Sequence, residues 1–437
     1  MKIILLSGGS GKRLWPLSNN TRSKQFIRLL PTSDGQRESM VQRVVRQLKE
    51  SNIEGSITVA TSVSQKDVIL NQLGEAASIV TEPERRDTFP AIALACSYLA
   101  YEKQSSSDEV VVVMPSDPYT EQGYFSVIEK MSECVRNHVA DLVLMGIQPT
   151  YASEKFGYIV PNPQKSQEDY FFVERFTEKP NVQKAQELMK LGALWNGGVF
   201  AFRLGYMLDI IAKYTQAHSF QEIRSKYSDF PKISFDYEVV EKAESVAVVP
   251  FAGQWRDLGT WNSLTEELKD KTIGNVYIDQ ESKNTHVINE LGLPIMCVGG
   301  ENLVIAASND GILVSDKSKS ETIKTYADQL QGRPMFEEMS WGEYRILNII
   351  ALPNGEKTIT KEVTILKGKT LQQIEPSLEC KVMTVVSGEG NLTINGECKP
   401  LKRGDVFQIN IADQYIFKAI SSIIMIVVQS EKSSRIS

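Results

Sequence analysis

The 437-residue sequence predicts an α/β protein: a doubly wound, mostly parallel sheet, then a small β-solenoid-like segment, then a carboxy-terminal antiparallel barrel or jelly roll. Three observations predict it. The first part of the chain alternates short Val/Ile/Leu runs with helical patterns, the texture of a parallel sheet covered on both faces. After Trp261 this alternation gives way, from about Gly274, to short strands with polar turns. From Thr358 to Gln429 the chain is almost wholly β, with turn signals at regular spacing.

Taken in order, Lys2–Leu6, Ile57–Ala60, Val110–Met114 and Leu142–Met145 are continuous apolar runs bounded by turn residues, expected as strands buried on both faces. Between them, Ser39–Glu50, Pro90–Lys103 and Tyr124–Val139 place apolar residues near a 3.6-residue period, and Pro90 suits a first helical position. Ligands on such sheets bind beyond the carboxyl ends of the strands. Asn275–Ile278, Thr285–Ile288, Pro294–Val298, Val304–Ala307 and Ile312–Ser315 are the expected solenoid strands, and Gln329–Pro334 reads as a linker. The barrel's turns fall at Lys367-Gly368-Lys369, Ser387-Gly388-Glu389-Gly390, Asn395-Gly396 and Arg403-Gly404-Asp405. Asn395-Gly396 between alternating runs is the strongest hairpin signal. The expected domains are 1–270, 271–332 and 333–437.

Composition narrows the function. The net charge is −6 and no basic block tracks a phosphate polymer, so nucleic acid is not an expected partner, although a single nucleotide needs only a local positive pocket. No stretch approaches a membrane span, and the apolar start Ile3–Leu6 runs into glycines without a signal-peptide pattern, so a soluble, cytoplasmic chain is expected. Five scattered cysteines without a CxxC argue for buried free thiols rather than disulfides or zinc. Histidine is scarcest, with only His138, His218 and His286.

The loop Leu6-Ser7-Gly8-Gly9-Ser10-Gly11-Lys12-Arg13-Leu14 follows the first strand directly. It fits neither GxxxxGK[ST], which needs Gly at Leu6 and a hydroxyl at Arg13, nor GxGxxG, which meets Leu14 where its third glycine belongs. Small residues that let backbone N–H groups approach an anion remain, with Lys12 and Arg13 beside them. Arg22 and Lys24 add charge that could hold a triphosphate.

Gly8-Gly9-Ser10-Gly11-Lys12-Arg13-Leu14-Trp15-Pro16-Leu17-Ser18 with Ser23-Lys24-Gln25-Phe26 resembles the signature of sugar-phosphate nucleotidylyltransferases, specifically mannose-1-phosphate guanylyltransferases. The family usually has Thr at Lys12 and Pro at Ser23. Further matches follow in order: Glu82-Pro83 through Arg86-Asp87-Thr88, with Asp87 where Asn is usual; Met114-Pro115-Ser116-Asp117, with Pro118 where His is customary; Gly146-Ile147-Gln148-Pro149-Thr150; Gly157-Tyr158-Ile159; Phe176-Thr177-Glu178-Lys179-Pro180; Leu194-Trp195-Asn196-Gly197-Gly198; Ser234 through Lys242; and Trp255-Arg256-Asp257-Leu258-Gly259.

The resemblance implies GTP and a sugar 1-phosphate, mannose 1-phosphate above others, as substrates, and Mg²⁺ as cofactor. Nucleotidyl transfer needs no covalent protein intermediate; two anions must be brought together and their charge neutralised around an in-line displacement. By resemblance Asp117 and Asp257 hold the Mg²⁺ and Arg13 and Lys24 neutralise the leaving pyrophosphate. Gly8, Gly9, Ser10, Gly11, Lys12, Glu82, Pro83 and Arg86 contact the nucleotide. Lys179 takes the sugar phosphate, and Glu178 and Asn196 bond sugar hydroxyls, assisted by backbone at Gly146. Trp195, Trp255 and Trp261 read as packing, and Asp236 as a helix cap or a substrate contact, outside the catalytic set. The same reaction on a glucose or heptose 1-phosphate, or with another nucleoside triphosphate, stays open, as does a non-catalytic regulatory homologue.

Long members of this family carry a cupin barrel with phosphomannose isomerase activity. Arg333-Pro334, Ser340 through Tyr344, Gly368-Lys369-Thr370-Leu371 and Val385-Val386-Ser387-Gly388 resemble its framework. The family's metal-binding histidines would fall within Pro376–Met383 and on Tyr415, where this chain has none. The barrel is therefore expected to be inactive as an isomerase and kept for packing, homodimerisation or regulation.

Overall fold

The apolar runs of the first part of the chain become the middle of a nine-stranded sheet. The computed structural model describes residues 1–9, 12–330, 332–373 and 380–431. They fall into two compact units: Met1–Gly9, Gln25–Lys66 and Leu73–Gly259 in the first, Ser10–Lys24, Asp67–Gln72 and Thr260–Ser437 in the second.

Besides a short hairpin of Leu30–Pro31 with Arg37–Glu38, the strands of the first unit are β1 (Lys2–Ser7), β2 (Ser56–Ser62), β3 (Ser78–Glu82), β4 (Val110–Pro115), β5 (Pro118–Thr120), β6 (Leu142–Ile147), β7 (Tyr158–Ser166), β8 (Phe171–Thr177), β9 (Leu194–Arg203), β10 (Val246–Phe251) and β11 (Trp255–Asp257). The large sheet has the order β3-β2-β1-β4-β9-β6-β10-β8-β7. β1 lies parallel to β2 and β4, with Ile4 opposite Thr58 and Val113. Two strands run against the parallel set: β9, inserted antiparallel between β4 and β6 with Phe202 opposite Val111 and Leu142, and β8, antiparallel to both β10 and β7. Ile4, Val111, Val113, Leu142 and Leu144 are fully buried, as their two-sided apolar pattern requires.

Three helices matter for the site's frame: α1 (Met40–Glu50), α2 (Thr88–Tyr101) and α3 (Gly123–Arg136). Ser39 and Gln42 close a capping box at the start of α1. α2 begins two residues before Pro90, because Asp87 is its N-cap and accepts a 2.7 Å bond from the Thr88 N–H. It is apolar on all sides and buried from Phe89 to Ser97, which anchors its amino terminus at the sheet edge.

In the second unit, β12 (Thr272–Ile273), β13 (Val276–Ile278), β14 (His286–Asn289), β15 (Ile295–Cys297) and β16 (Leu303–Ser308) stack in parallel, β12 on β14, β14 on β16 and β13 on β15. β17 (Gly311–Asp316) returns antiparallel on β16. His286 is enclosed here, 2.8 Å from the Lys317 ammonium. Burial, then Lys317 and Lys271, push its pKa down to about 4, so it is a neutral structural imidazole.

The remaining strands are β18 (Phe336–Met339), β19 (Gly342–Ala351), β20 (Lys357–Ile365), β21 (Thr370–Gln373), β22 (Lys381–Ser387), β23 (Gly390–Ile394), β24 (Glu397–Leu401), β25 (Val406–Ile409), β26 (Tyr415–Ala419) and β27 (Ile423–Glu431). They form two antiparallel sheets, β18-β19-β20-β27-β22-β25 and β21-β26-β23-β24. Their inner faces share a core of Ile365, Met383, Val385, Phe417, Ile423 and Met425. Asn395 and Gly396 make the two-residue loop between β23 and β24, both at positive φ (47° and 92°), the type I′ geometry expected of this pair. Tyr415 is buried in the core beside Phe417, whereas Pro376, Ser377, Leu378 and Glu379 lie outside the described residues. All five cysteines are free thiols; Cys96, Cys134 and Cys297 are buried, Cys398 is exposed and Cys380 lies between. No helix among the described residues is long and apolar enough to cross a membrane.

Two turn glycines separate backbone strain from steric clash. Gly396 has open space where a Cβ would stand, whereas a Cβ on Gly388 (φ 89°) would lie 2.1 Å from the Ser422 carbonyl oxygen. Gly396→Ala is expected to cost about 1 kcal/mol and Gly388→Ala roughly 3 kcal/mol or more. Urea unfolding of the two variants checks this; equal losses would show that the Gly388 backbone moves freely.

Candidate active site

Four parallel strands end at one edge of the sheet, and a cavity of about 370 Å³ opens there, lined by Ser7 of β1, Ala60 of β2, Glu82 of β3 and Pro115 of β4. This is where an open α/β sheet binds ligands. Gly8 and Gly9 line the same cavity. Gly9 has φ 99°, which a side chain would strain, and neither glycine has an atom near where a Cβ would stand. Buried polar side chains hold this turn: Thr61 Oγ1 donates to the Ser7 carbonyl (3.1 Å), Gln65 Nε2 to the Gly9 carbonyl (3.2 Å) and Gln25 Nε2 to Ser7 Oγ (3.0 Å).

Glu82, Arg85, Arg86, Asp87 and Thr88 also line it, with the amino terminus of α2, whose dipole favours an anion. Burial raises the Glu82 carboxyl above its ordinary range, opposed by a 2.5 Å bond from the Tyr227 hydroxyl and by Arg85. Arg86 spans from the Phe230 carbonyl (3.1 Å) to Glu84 (2.7 Å). Pro83 is exposed and does not line the cavity. Thr88 Oγ1 accepts from the Phe235 N–H (2.8 Å), which draws the Ser234–Glu238 turn against α2 and brings Asp236 into the cavity wall.

Asp117 lines the cavity just beyond β4. β5 and β11 pair antiparallel with Asp257 opposite Pro118, so the two aspartates are neighbours across this small sheet. The Thr120 hydroxyl bonds the Gln254 carbonyl (2.9 Å) and fixes the pairing. The Asp257 carboxylate lies over Gly259, where a Cβ would come within 3.1 Å of both its oxygens.

A second cluster adjoins the cavity through Asp236. Asn196 Nδ2 donates to Asp236 Oδ1 (2.6 Å), while Asn196 Oδ1 accepts from the Gly198 N–H (3.1 Å), so both ends of this amide are fixed. Glu178 pairs with Lys179 at 2.9 Å. Lys179 sits at φ 44°, in the left-handed region. Burial works against its charge, but Glu178 and then Asp236 and Tyr237 raise its pKa. Burial first, then Glu178, push Asp236 up to about 6, against the Asn196 bond and Lys179. Glu178 Oε2 is buried and accepts no hydrogen bond among the described residues.

The expected site residues thus separate. Gly8, Gly9, Glu82, Arg86 and Asp117 meet at one cavity, Asp257 adjoins Asp117, and Glu178, Lys179 and Asn196 gather around Asp236. Gly146 lies inside β6 opposite Asn196, where a Cβ would come within 2.5 Å of Leu194. Its observed place is close packing. Lys12, Arg13 and Lys24 belong to the second unit, Lys12 paired with Asp328 (3.1 Å) and Arg13 exposed. Ser10 and Gly11 lie outside the described residues. Arg22 departs from the reading that its charge serves a triphosphate: it is buried and paired with Glu290. Trp195 and Trp261 are buried, and the Trp261 indole N–H donates to the Trp15 carbonyl (3.1 Å). Asp236, Gln25 and Gln65 stand outside the expected set; Asp236 has a signal in the Ser234–Lys242 stretch and Gln25 in the Ser23-Lys24-Gln25-Phe26 motif, whereas Gln65 has none.

Residues 2–272 match the family described as Nucleotidyl transferase. A mannose-1-phosphate guanylyltransferase of Escherichia coli (strain K12) is 29% identical, covering 93% of this chain and 90% of the relative. The xanthan biosynthesis protein XanB of Xanthomonas campestris pv. campestris (strain B100) is also 29% identical, covering 90% and 87%. Among solved structures, one described as mannose-1-phosphate geranyltransferase from Thermus thermophilus superposes with a TM-score of 0.61 at 25% identity, covering 76% of this chain and 99% of that one. With the family match spanning more than half of its length, this chain belongs to the nucleotidyl transferase family.

Proposed function

We propose that the protein makes GDP-mannose and pyrophosphate from GTP and mannose 1-phosphate. One observation carries this reading: the cavity at the strand ends is walled by a glycine turn and a helix amino terminus, and the Glu178-Lys179-Asn196-Asp236 cluster adjoins it through Asp236. The wall suits a triphosphate. The cluster suits a phosphorylated sugar, because Lys179 offers a cation and the unsatisfied Glu178 Oε2 offers an acceptor for a hydroxyl.

Asp117 and Asp257 supply only carboxylate oxygens, and no group of three or more His, Cys, Asp or Glu among the described residues could hold a metal. Two carboxylates suit Mg²⁺, which keeps most of its shell for water and substrate phosphates. When bound, Mg²⁺ supplies charge neutralisation on the reacting phosphates. The chain's own residues do the rest. Gly8 and Gly9 let the backbone approach the triphosphate, and Arg13 and Lys24 neutralise the departing pyrophosphate. Lys179 holds the sugar phosphate with an oxygen toward the α-phosphorus, and Glu178 and Asn196 fix the sugar ring. The attacking oxygen is already ionised, so no general base is needed; the P–O bond to the β-phosphate breaks as the new one forms. The barrel is proposed to carry no isomerase chemistry, and 1–270, 271–332 and 333–437 are proposed as the functional divisions.

Asp117→Asn and Asp257→Asn are expected to fold normally and lose at least about 100-fold in kcat. Pyrophosphate release across several nucleoside triphosphate and sugar 1-phosphate pairs checks this; wild-type turnover in both variants would remove the metal assignment, and a better pair than GTP with mannose 1-phosphate would revise the substrates.

Asp236 gives a pH prediction. Above about 6 it is ionised and accepts from Asn196; below that it is protonated and no longer fixes this amide as an anion. kcat/KM for the sugar 1-phosphate is expected to fall as pH drops from about 8 to about 5. Because substrate phosphates titrate nearby, the Asp236→Asn variant isolates the effect: its profile should lose the Asp236 component. Stability runs the other way. A carboxyl held above its ordinary value destabilises the fold when ionised, so stability contributed by this group is present below pH 3.8 and lost as pH rises through about 6.

The barrel's chemistry is tested by mixing the purified protein with fructose 6-phosphate and divalent metals. No mannose 6-phosphate is expected; its appearance would overturn the reading.

A further inference from the structure

Arg22 stands two residues before Lys24, in the second unit, and its guanidinium is used internally. Both terminal nitrogens bond Glu290, each at 3.0 Å, in the fork-to-fork arrangement only arginine makes. Its Nε faces Glu338 of β18 at 3.8 Å, and its guanidinium carbon lies 4.9 Å from the centre of the Phe336 ring. Glu338 is itself buried and takes bonds from Gln72 Nε2 at 3.1 and 3.2 Å. Burial opposes the arginine's charge, yet Glu290, Glu338 and Glu343 together raise its pKa, so it is a fixed cation. The turn before Lys24 is anchored again at its other end. Asn19 Oδ1 accepts from the N–H groups of Thr21 (3.0 Å) and Arg22 (2.8 Å), and Asn19 Nδ2 donates to Asp310 (2.7 Å).

A short turn of polar residues has no reason of its own to hold one conformation. Here two anchors from the solenoid and one from the first barrel strand grip both ends of it. The barrel therefore contributes a carboxylate to the surroundings of this turn.

We propose that Arg22 is a positioning residue through which Glu290 and Glu338 fix the Asn19–Lys24 turn, so that the solenoid and barrel set the conformation of the segment that carries Lys24. The proposal rests on the reading of Lys24 as a phosphate ligand given above.

Removing Arg22 would leave Glu338 buried without its cation and risks the fold. Glu290 is less enclosed, its side chain 31% exposed, so Glu290→Gln is the gentler variant and Arg22→Lys the conservative one. In the full-length protein with GTP and mannose 1-phosphate, Glu290→Gln should raise the KM for GTP roughly tenfold while leaving the KM for mannose 1-phosphate unchanged. Arg22→Lys, which keeps charge but loses the fork, should fall between it and wild type. Hydrogen exchange of the amides of residues 19–24 should accelerate in both variants without ligand. A lowered melting temperature with an unaltered GTP KM, or equal changes in the two KM values, would overturn the proposal, as would unchanged exchange in this turn. A wild-type protein that turns over no such substrates would instead overturn the reading under Proposed function, and the exchange measurement would still decide what Arg22 does.

Discussion

Negative charge crowds the edge of the sheet where the parallel strands end. Glu82, Asp117 and Asp236 line the cavity, Asp257 lies across a strand pair from Asp117, and Glu178 stands close enough to Asp236 to raise its pKa. A site that takes two phosphorylated substrates would be repelled by these carboxylates unless each is given a countercharge or a proton. The structure divides the task. Arg85 offsets Glu82, Arg86 pairs with Glu84, Lys179 pairs with Glu178, and Asp236 has its pKa raised to about 6. Asp117 and Asp257 are the pair proposed to meet a divalent cation, and that role gives a reason for two carboxylates to adjoin at a place that anions must enter.

The same constraint explains the buried amides behind the glycine turn. Backbone N–H groups attract phosphate only if they point outward together, and a glycine at φ 99° does not hold that shape by itself. Gln65 and Thr61 donate to the Gly9 and Ser7 carbonyls and Gln25 to the Ser7 hydroxyl, which holds the turn in that shape.

Much of this frame is legible in the sequence where a residue's reason is local. The runs at β1, β2, β4 and β6 announce strands buried on both faces, and Asn395-Gly396 announces its turn, because pattern and backbone preference act over a few residues. What depends on distant partners is not legible. The antiparallel insertion of β9 is set by β4 and β6 together, and nothing inside Leu194–Arg203 states its direction. Asp236 sits in an ordinary helix start, Ser234 capping Phe235–Glu238, and becomes a site residue only because Thr88 draws that turn inward. Arg22 reads as one more cation for phosphate; its burial comes from Glu290 and Glu338, far along the chain. Gly146 is expected to assist through its backbone; that its missing side chain also leaves space for Leu194 and Val248 is set by distant strands.

Histidine scarcity then acquires a physical meaning. His286 is a neutral core imidazole beside Lys317, His138 contacts Arg203 at 2.8 Å, and neither they nor His218 line the cavity. An attacking phosphate oxygen arrives without its proton, so a nucleotidyl transfer site loses nothing by lacking an imidazole base. A sugar-phosphate isomerase built on imidazole-bound metal loses everything, and in this barrel Tyr415 is buried against Phe417 with Lys381 Nζ 3.3 Å from its hydroxyl. An ammonium and a phenol cannot replace metal ligands, because the ammonium has no lone pair and the neutral phenol offers only a weak one at neutral pH. In the reading proposed above the barrel serves packing and placement, and Glu338 on its first strand, 3.8 Å from Arg22 Nε, is the residue proposed to act in that way.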